Sequence, residues 1–483
     1  MLYTLSTSFF LPPAALSYLT TSIDLYRHAV TLTESTLLQL DAGFNLAEAL
    51  LDLGGVIEDL HPDRTDQVRK LRSEAKDILG GVFSGQEEYI VTNAEDLEVD
   101  QASAMADSQT IEEPEPATTA PGEDAEMEVD DSTGEDGGEQ AETYETHVPT
   151  PAALVDTALI LIDTHLTLWT TVSPQTPPTQ EQQLAVRSIL DRVSKHTPVG
   201  RQAEMDLAEI KVLLAMDEIV WEAFKAEATV GTGIEKSLEG AVAALTSLLA
   251  SLDIHPAEEP TLRAEIMTVL ADTHQTIAHR LLFLVPQLPP GPSPLAQSAW
   301  FNLSQAVTHL GKALDLPSSV DTPKSFKPSV LLALSKASLS RARLGALNDT
   351  AKRNGAQLVD NASTYAVRAA DALGWGSYVK TSGFGPAAPP HPSGWDTEWL
   401  ARSVILQYLR IAYVTTATGA VPEAKEKFAS VEKTTVEKLR VLQSERKIQP
   451  ADVERWVEEI KGEESMEVAE LDWWKKLAAS LGQ

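Results

Sequence analysis

The chain has 483 residues, 43% of them apolar, and a formal charge of −33 from 38 basic and 71 acidic residues. That length supports several domains or one long solenoid. The charge argues against nucleic acid or an anionic membrane surface as a partner and for a basic one. No Cys is present, which excludes disulfides, thiol catalysis and Cys-ligated zinc and suits a reducing compartment.

The opening M-L-Y-T-L-S-T-S-F-F-L lacks the basic stretch of a secretory signal. No run of about eighteen apolar residues is present, so no membrane span is expected. An intracellular location, nuclear and/or cytoplasmic, follows as an expectation. A first helix is predicted after Pro12-Pro13, over 14–32, with Leu16, Leu19, Ile23, Tyr26, Ala29 and Val30 apolar. Residues 44–54 read F-N-L-A-E-A-L-L-D-L-G, with Leu46, Ala49, Leu50 and Leu53 at helical spacing. Gly54 is expected to supply the positive φ of a helix stop, with continuation to Leu60 as the longer alternative. A third helix over 65–83, ending at Gly80-Gly81 or a little beyond, completes an N-terminal segment of residues 1–90.

Between Lys76 and Arg187 the chain has neither Lys nor Arg. Residues 91–147 contain E-E-P-E-P, E-D-A-E-M-E-V-D-D and G-E-D-G-G-E, and they supply more than half of the net charge. Without a sustained apolar period such a stretch cannot offset its chain entropy, so a disordered acidic insertion is predicted. One reading is a solvated linker. The other is a polyanionic arm that screens a basic client, with Met127, Val129 and Tyr144 as short apolar contacts.

Helical rhythm returns in a central segment, residues 148–285, over 151–172, 184–193, 202–228, 234–252 and 261–285, and Thr179-Gln-Glu-Gln looks like a helix start. Residues 286–298 hold Pro286, Pro289, Pro290, Pro292 and Pro294 and read as a stiff connector. The C-terminal segment, residues 299–483, opens with F-N-L-S-Q-A-V-T-H-L-G at 301–311, which shares Phe, Asn, Leu, Ala, Leu and Gly with the first stretch at matching spacing, and Gly311 is expected to stop its helix as Gly54 does. Helices follow over 328–344, 350–373, 399–415 and 422–443. The loop 374–394 carries Trp375, Tyr378, Phe384, His391 and Trp395 and is expected to pack over a groove. Two short helices in 450–483, with Trp456, Trp473 and Trp474, are expected to cap the array. The fold class is all-α, built from antiparallel helix pairs.

The pairs resemble tetratricopeptide repeats (TPR). Ala299-Trp300-Phe301-Asn302-Leu303-Ser304 matches the family's first-helix pattern, and Phe44-Asn45-Leu46-Ala47 matches it after the helix holding Tyr26 and Ala29. Tyr408, Ile411, Ala412, Gly419, Ala424 and Phe428 match one whole repeat in phase. The family's period is not kept, and Pro317 follows Gly311 too soon for the usual second helix. The acidic insertion is similar in architecture to interrupted-TPR histone chaperones of the NASP type. The resemblance implies a TPR-like α-solenoid interrupted by the disordered insertion. Its inner groove would be lined by Phe44, Glu48 and Asp52 and by Phe301, Gln305 and His309. These aromatic, acidic and neutral side chains differ from the Lys, Arg and Asn set with which some repeats hold a C-terminal carboxylate.

No G-x-S-x-G, H-E-x-x-H or G-x-x-x-x-G-K-[ST] is present. His274 and His279 do not share a helical face well, and the acidic tract lacks the fixed Gly and closing Glu of a calcium loop. No catalytic, cofactor or metal residue is expected, and no cofactor. The expected function is a non-enzymatic scaffold or chaperone for a basic client, such as a histone or ribosomal protein. The alternative is a structural subunit or adaptor of a larger complex, with the acidic tract as a plain linker.

Overall fold

Three caps show how the helices start. Gln182 N–H donates to Thr179 Oγ1 at 3.3 Å, and Thr179 N–H donates to Gln182 Oε1 at 2.8 Å, a capping box that satisfies two otherwise unpaired donors. Asn348 Oδ1 accepts from Thr350 N–H at 2.9 Å and Ala351 N–H at 3.0 Å. Ser293 caps a helix whose first residue is Pro294.

The computed structural model describes residues 2–8, 10–94, 148–170, 177–227, 234–252, 260–284, 293–317, 322–380, 394–417, 428, 430–440, 442, 446–463 and 466–481. Among them the regular elements are helical and none is a strand, so the fold is all-α. In chain order they are α1 (Leu2–Ser8), α2 (Ala14–Leu32), α3 (Thr36–Leu60), α4 (Thr65–Thr92), α5 (Pro151–Thr170) and α6 (Gln180–Val193). Then come α7 (Gln202–Glu227), α8 (Ile234–Leu252), α9 (Pro260–Leu284), α10 (Pro294–Asp315), α11 (Phe326–Arg343) and α12 (Asp349–Ala372). The last are α13 (Gly376–Val379), α14 (Trp395–Ala417), α15 (Val431–Leu439), α16 (Pro450–Glu463) and α17 (Val468–Leu481).

Neighbours in sequence are mostly neighbours in space: α2 packs on α3, α3 on α4, α4 on α5, α7 on α8, α9 on α10 and α11 on α12. Along α3 and α4, Gly85 meets Leu40, Gly43 meets Val82 and Gly54 meets Arg72, so the two run antiparallel. Likewise Gly345 lies against Lys352 while Ser335 Oγ donates to Ala362 O at 2.8 Å, so α11 and α12 also oppose one another. The two ends of the chain meet as well. Helix α16 packs on α3, Trp395 Nε1 donates to Asp59 Oδ2 at 2.7 Å, and Arg455 pairs with the same carboxylate. Gly394 has φ +94°, and a Cβ there would lie 2.2 Å from Thr7 O, so only glycine fits this seam.

The N-terminal core is filled by Leu46 and Leu50 of α3, Leu79 and Phe83 of α4, and Leu154 and Ala158 of α5. Each large apolar side chain buried this way contributes about 1.5–3 kcal/mol. The C-terminal core holds Trp375, Trp456 and Trp474 around Val404, Ile405 and Leu409 of α14. Charges inside it are paired: Arg410 with Glu470 at 2.8 Å, Arg402 with Asp452 at 2.9 Å, and Arg446 with both oxygens of Glu398 at 2.9 and 2.7 Å. Breaking one such pair from one side costs about 3–5 kcal/mol, because the remaining charge stays buried.

Several expectations change. Gly54 and Gly311 are not helix stops: α3 continues to Leu60 and α10 to Asp315, and positive φ is found at Gly374 and Gly394. Gly80-Gly81 does not end α4 either, because Val82, Phe83 and Ile90 bury along its continuation to Thr92. Val91 and Thr92 are therefore helical and Asn93 caps the helix, while residues 95–147 of the predicted acidic insertion lie outside the described residues. Helix α10 begins at Pro294, inside the expected connector, whose residues 286–292 lie outside the described ones. Trp375, Tyr378 and Trp395 are core residues rather than a cover over a groove, and Phe384 and His391 lie outside the described residues. The helix over 422–443 is described only in part, as α15. Among the described residues α5 is long and apolar enough to cross a membrane. It packs between α4 and α7 with Leu154, Val155, Ala158, Leu161 and Ile162 buried.

Candidate protein-binding surface

Phe44, Glu48 and Asp52 follow one another by single turns and share one face of α3. Phe44 packs, partly buried, on the N-terminal core. Tyr3 of α1 reaches the same face and its hydroxyl donates to Asp52 Oδ2 at 2.6 Å. Burial pushes the Glu48 carboxyl up from its ordinary range, and the charge of Asp52 pushes it further. Burial also raises Asp52; the hydrogen bond from Tyr3 opposes this and the charge of Asp396 adds to it. The phenols respond in kind: Tyr3 is raised by burial and then by Asp52, and Tyr26 by burial and then by Glu48. The named influences on Glu48 and Asp52 are thus burial, a neutral phenol and other carboxylates. A Lys or Arg arriving at this face would relieve that repulsion. Asp59, further along α3, stays raised by burial and by the charge of Asp396, although Arg455 and Trp395 pull it down.

The second group behaves differently. Phe301 is 56% exposed. Its neighbour Asn302 is buried, with Oδ1 2.8 Å from His274 Nδ1 and Nδ2 donating to Ser298 O at 3.0 Å. The His309 ring stacks on His274, with centroids 5.8 Å apart and planes 7° from parallel. Burial, then the charges of His274 and Lys312, hold His309 down to about 4. Burial also lowers His274, against the hydrogen bond its Nδ1–H donates to Asn302 Oδ1. Gln305 lies half-buried between Phe301 and His309 on the same helix.

The two groups belong to different parts of the core. Phe44 joins the N-terminal cluster, whereas Ala299 and Leu303, beside Phe301, join a separate cluster with Ile277 and Leu281 of α9. The sequence missed Tyr3 and Asp396 as members of the α3 face. They come from opposite ends of the chain, and no local pattern announces that they meet.

Two depressions also lie outside the sequence reading. One of about 400 Å³ opens between α3, α4, α5, α7 and α9, with Leu159, Ile160, Leu207 and Leu262 as apolar lining beside the Lys211–Glu265 pair at 2.6 Å. The other, of about 530 Å³, opens between α5, α6 and α7. Among the described residues no group of three or more His, Asp or Glu is placed to hold a metal ion. No family model, curated protein or solved structure matches the chain.

Proposed function

We propose that this protein is a non-enzymatic scaffold or chaperone for a basic client of the histone or ribosomal-protein type, acting in the nucleus and/or cytoplasm. The observation that carries the proposal is the α3 face. There Glu48 and Asp52 are half-buried and raised first by burial, then by a neighbouring carboxylate, Asp52 beside Glu48 and Asp396 beside Asp52. A client cation gains there what bulk water cannot give, because repulsion between carboxylates is released on binding. The acidic stretch over 95–147 adds a long-range field, and such fields raise association rates by about 10 to 10³-fold.

The helices form a TPR-like solenoid in this proposal, interrupted between α4 and α5 by the acidic tract in the manner of NASP-type chaperones. The antiparallel registers of α3 with α4 and α11 with α12 support it. Affinity purification of the full chain followed by mass spectrometry tests the proposal. The expected result is enrichment of strongly basic proteins that dissociate as salt rises. Partners that are retained at high salt through an apolar interface would instead favour a structural subunit or adaptor with the acidic tract as linker.

A further inference from the structure

The α6–α7 depression lies where two neighbouring helices part. Helix α6 leans on α5, and Arg192 ties it to α4 by pairing with Glu87 and lying 4.7 Å over the Phe83 ring. Helix α7 packs on α5 and α8. The cleft of about 530 Å³ left between α6 and α7 has Trp169, Val186 and Met205 as its buried floor. Val212 and Met216 continue the Met205 side of α7 at helical spacing, giving an apolar stripe along the cleft. Leu184 on α6 and Leu213 on α7 form its lips, and each is 58% exposed.

Around this stripe the charges are unequal. Among the described residues that line the cleft, Asp191, Asp206 and Glu209 stand against one cation, Arg187. An apolar stripe between two helices, edged by carboxylates, is the complement of an amphipathic helix whose apolar face is flanked by Lys or Arg. The thioethers of Met205 and Met216 let such a cleft accept side chains of different shape.

We infer that the α6–α7 cleft docks one amphipathic helix of a basic partner. Apolar residues of that helix, spaced by three and four, insert between Leu184 and Leu213, while its basic residues meet Asp191, Asp206 and Glu209. This rests on the basic-client proposal and names the structural element through which the client is held. Burial in the cleft supplies specificity that charge alone does not, since net charge acts on encounter more than on discrimination.

Two fluorescein-labelled peptides of identical composition test it. One places Leu on one face and Lys on the other of a helix of about eighteen residues, roughly 27 Å long. The other is a shuffled sequence without helical period. Fluorescence anisotropy with the full-length chain should show the amphipathic peptide binding at least about tenfold more tightly, a preference that persists at 0.3 M salt, roughly twice physiological. The double variant Leu184→Asp/Leu213→Asp should lose that preference. Both positions are exposed, so its melting temperature and circular dichroism should match the parent, and Leu184→Ala/Leu213→Ala gives the same test without added charge. Equal binding of the amphipathic peptide by parent and both variants overturns the inference. So does sedimentation showing that the parent self-associates through the cleft and that Leu213→Asp makes it monomeric. If both peptides bind equally and only through salt-sensitive contacts weakened by Glu48→Gln/Asp52→Asn, the cleft assignment fails and the basic-client proposal stands. If neither peptide binds at low salt, both fail.

Discussion

The two copies of F-N-L in α3 and α10 share letters but not surroundings. Their common residues occupy matching core positions: Leu46 with Leu303, Ala49 with Ala306, and Leu53 with Leu310 are all buried. The remaining positions diverge. In α3 they present Glu48 and Asp52 to a tyrosine and a further carboxylate, whereas in α10 they place Gln305 and His309 beside His274. Even the shared Asn has two roles. Asn45 Nδ2 donates to Asp41 O at 2.8 Å and Asn302 Nδ2 to Ser298 O at 3.0 Å, each on its own helix, but only Asn302 is buried and also accepts from His274 across the helix pair. Repetition therefore records how a helix packs, and the unlike residues record what each face does.

The sharpest way to break this comparison is at the common core. Leu46→Ala and Leu303→Ala should each lower stability by about 2–5 kcal/mol in urea unfolding, because both leave a cavity in a closed core. A loss from one and none from the other would mean that the motif is not a shared packing unit. The next effect separates the two Asn residues. Asn302→Ala should cost about 1–3 kcal/mol by leaving His274 without its acceptor, while Asn45→Ala should stay within about 0.5 kcal/mol. Equal effects would contradict their different environments.

Acid should distinguish the faces next. His309 is held down to about 4 from an ordinary 6.5. The unfolded chain therefore takes up the proton first, so the His309 contribution is complete above 6.5 and is lost as pH falls towards 4. The ring is half-buried, so solvent screening limits this contribution to about 1 kcal/mol. His309→Asn should flatten the decline of melting temperature in that window. Glu48 and Asp52 have the opposite sign. Their raised carboxyls favour the folded state when protonated, and that contribution is lost as pH rises through their folded values. Glu48→Gln/Asp52→Asn should accordingly raise the melting temperature at neutral pH, and a lower one would sink the repulsion argument. The smallest expected change is at Phe301, whose exposed ring contributes within about 0.5 kcal/mol to stability. Phe301→Ala should leave the melt unchanged while speeding client dissociation if the ring contacts the client.

Much of the helical content was legible because caps and apolar periods are local. The start of α2 at Ala14, the capping box at Thr179 and the limits of α8 follow from residues a few positions apart. Glycine misled at Gly54, Gly80 and Gly311, where tertiary packing carries the helix past a residue that favours stopping it. The clasp of Trp395 and Arg455 on Asp59, the joining of Tyr3 and Asp396 to the α3 face, and the α6–α7 cleft were not legible. Each depends on residues remote in sequence or on a helix pair that fails to close, and neither leaves a periodic trace.

The central claim is that this chain captures a basic protein by charge before holding it by contact. The most direct test is stopped-flow association of fluorescently labelled core histones with the full chain and with a chain in which 95–147 is replaced by a short Gly/Ser linker, at two salt concentrations. Ending the deletion at 95 keeps α4 whole. The association rate is predicted to fall by about tenfold or more on deletion and its salt dependence to flatten, with dissociation nearly unchanged. An association rate and salt slope that survive the deletion intact would contradict the account and leave the acidic tract a linker.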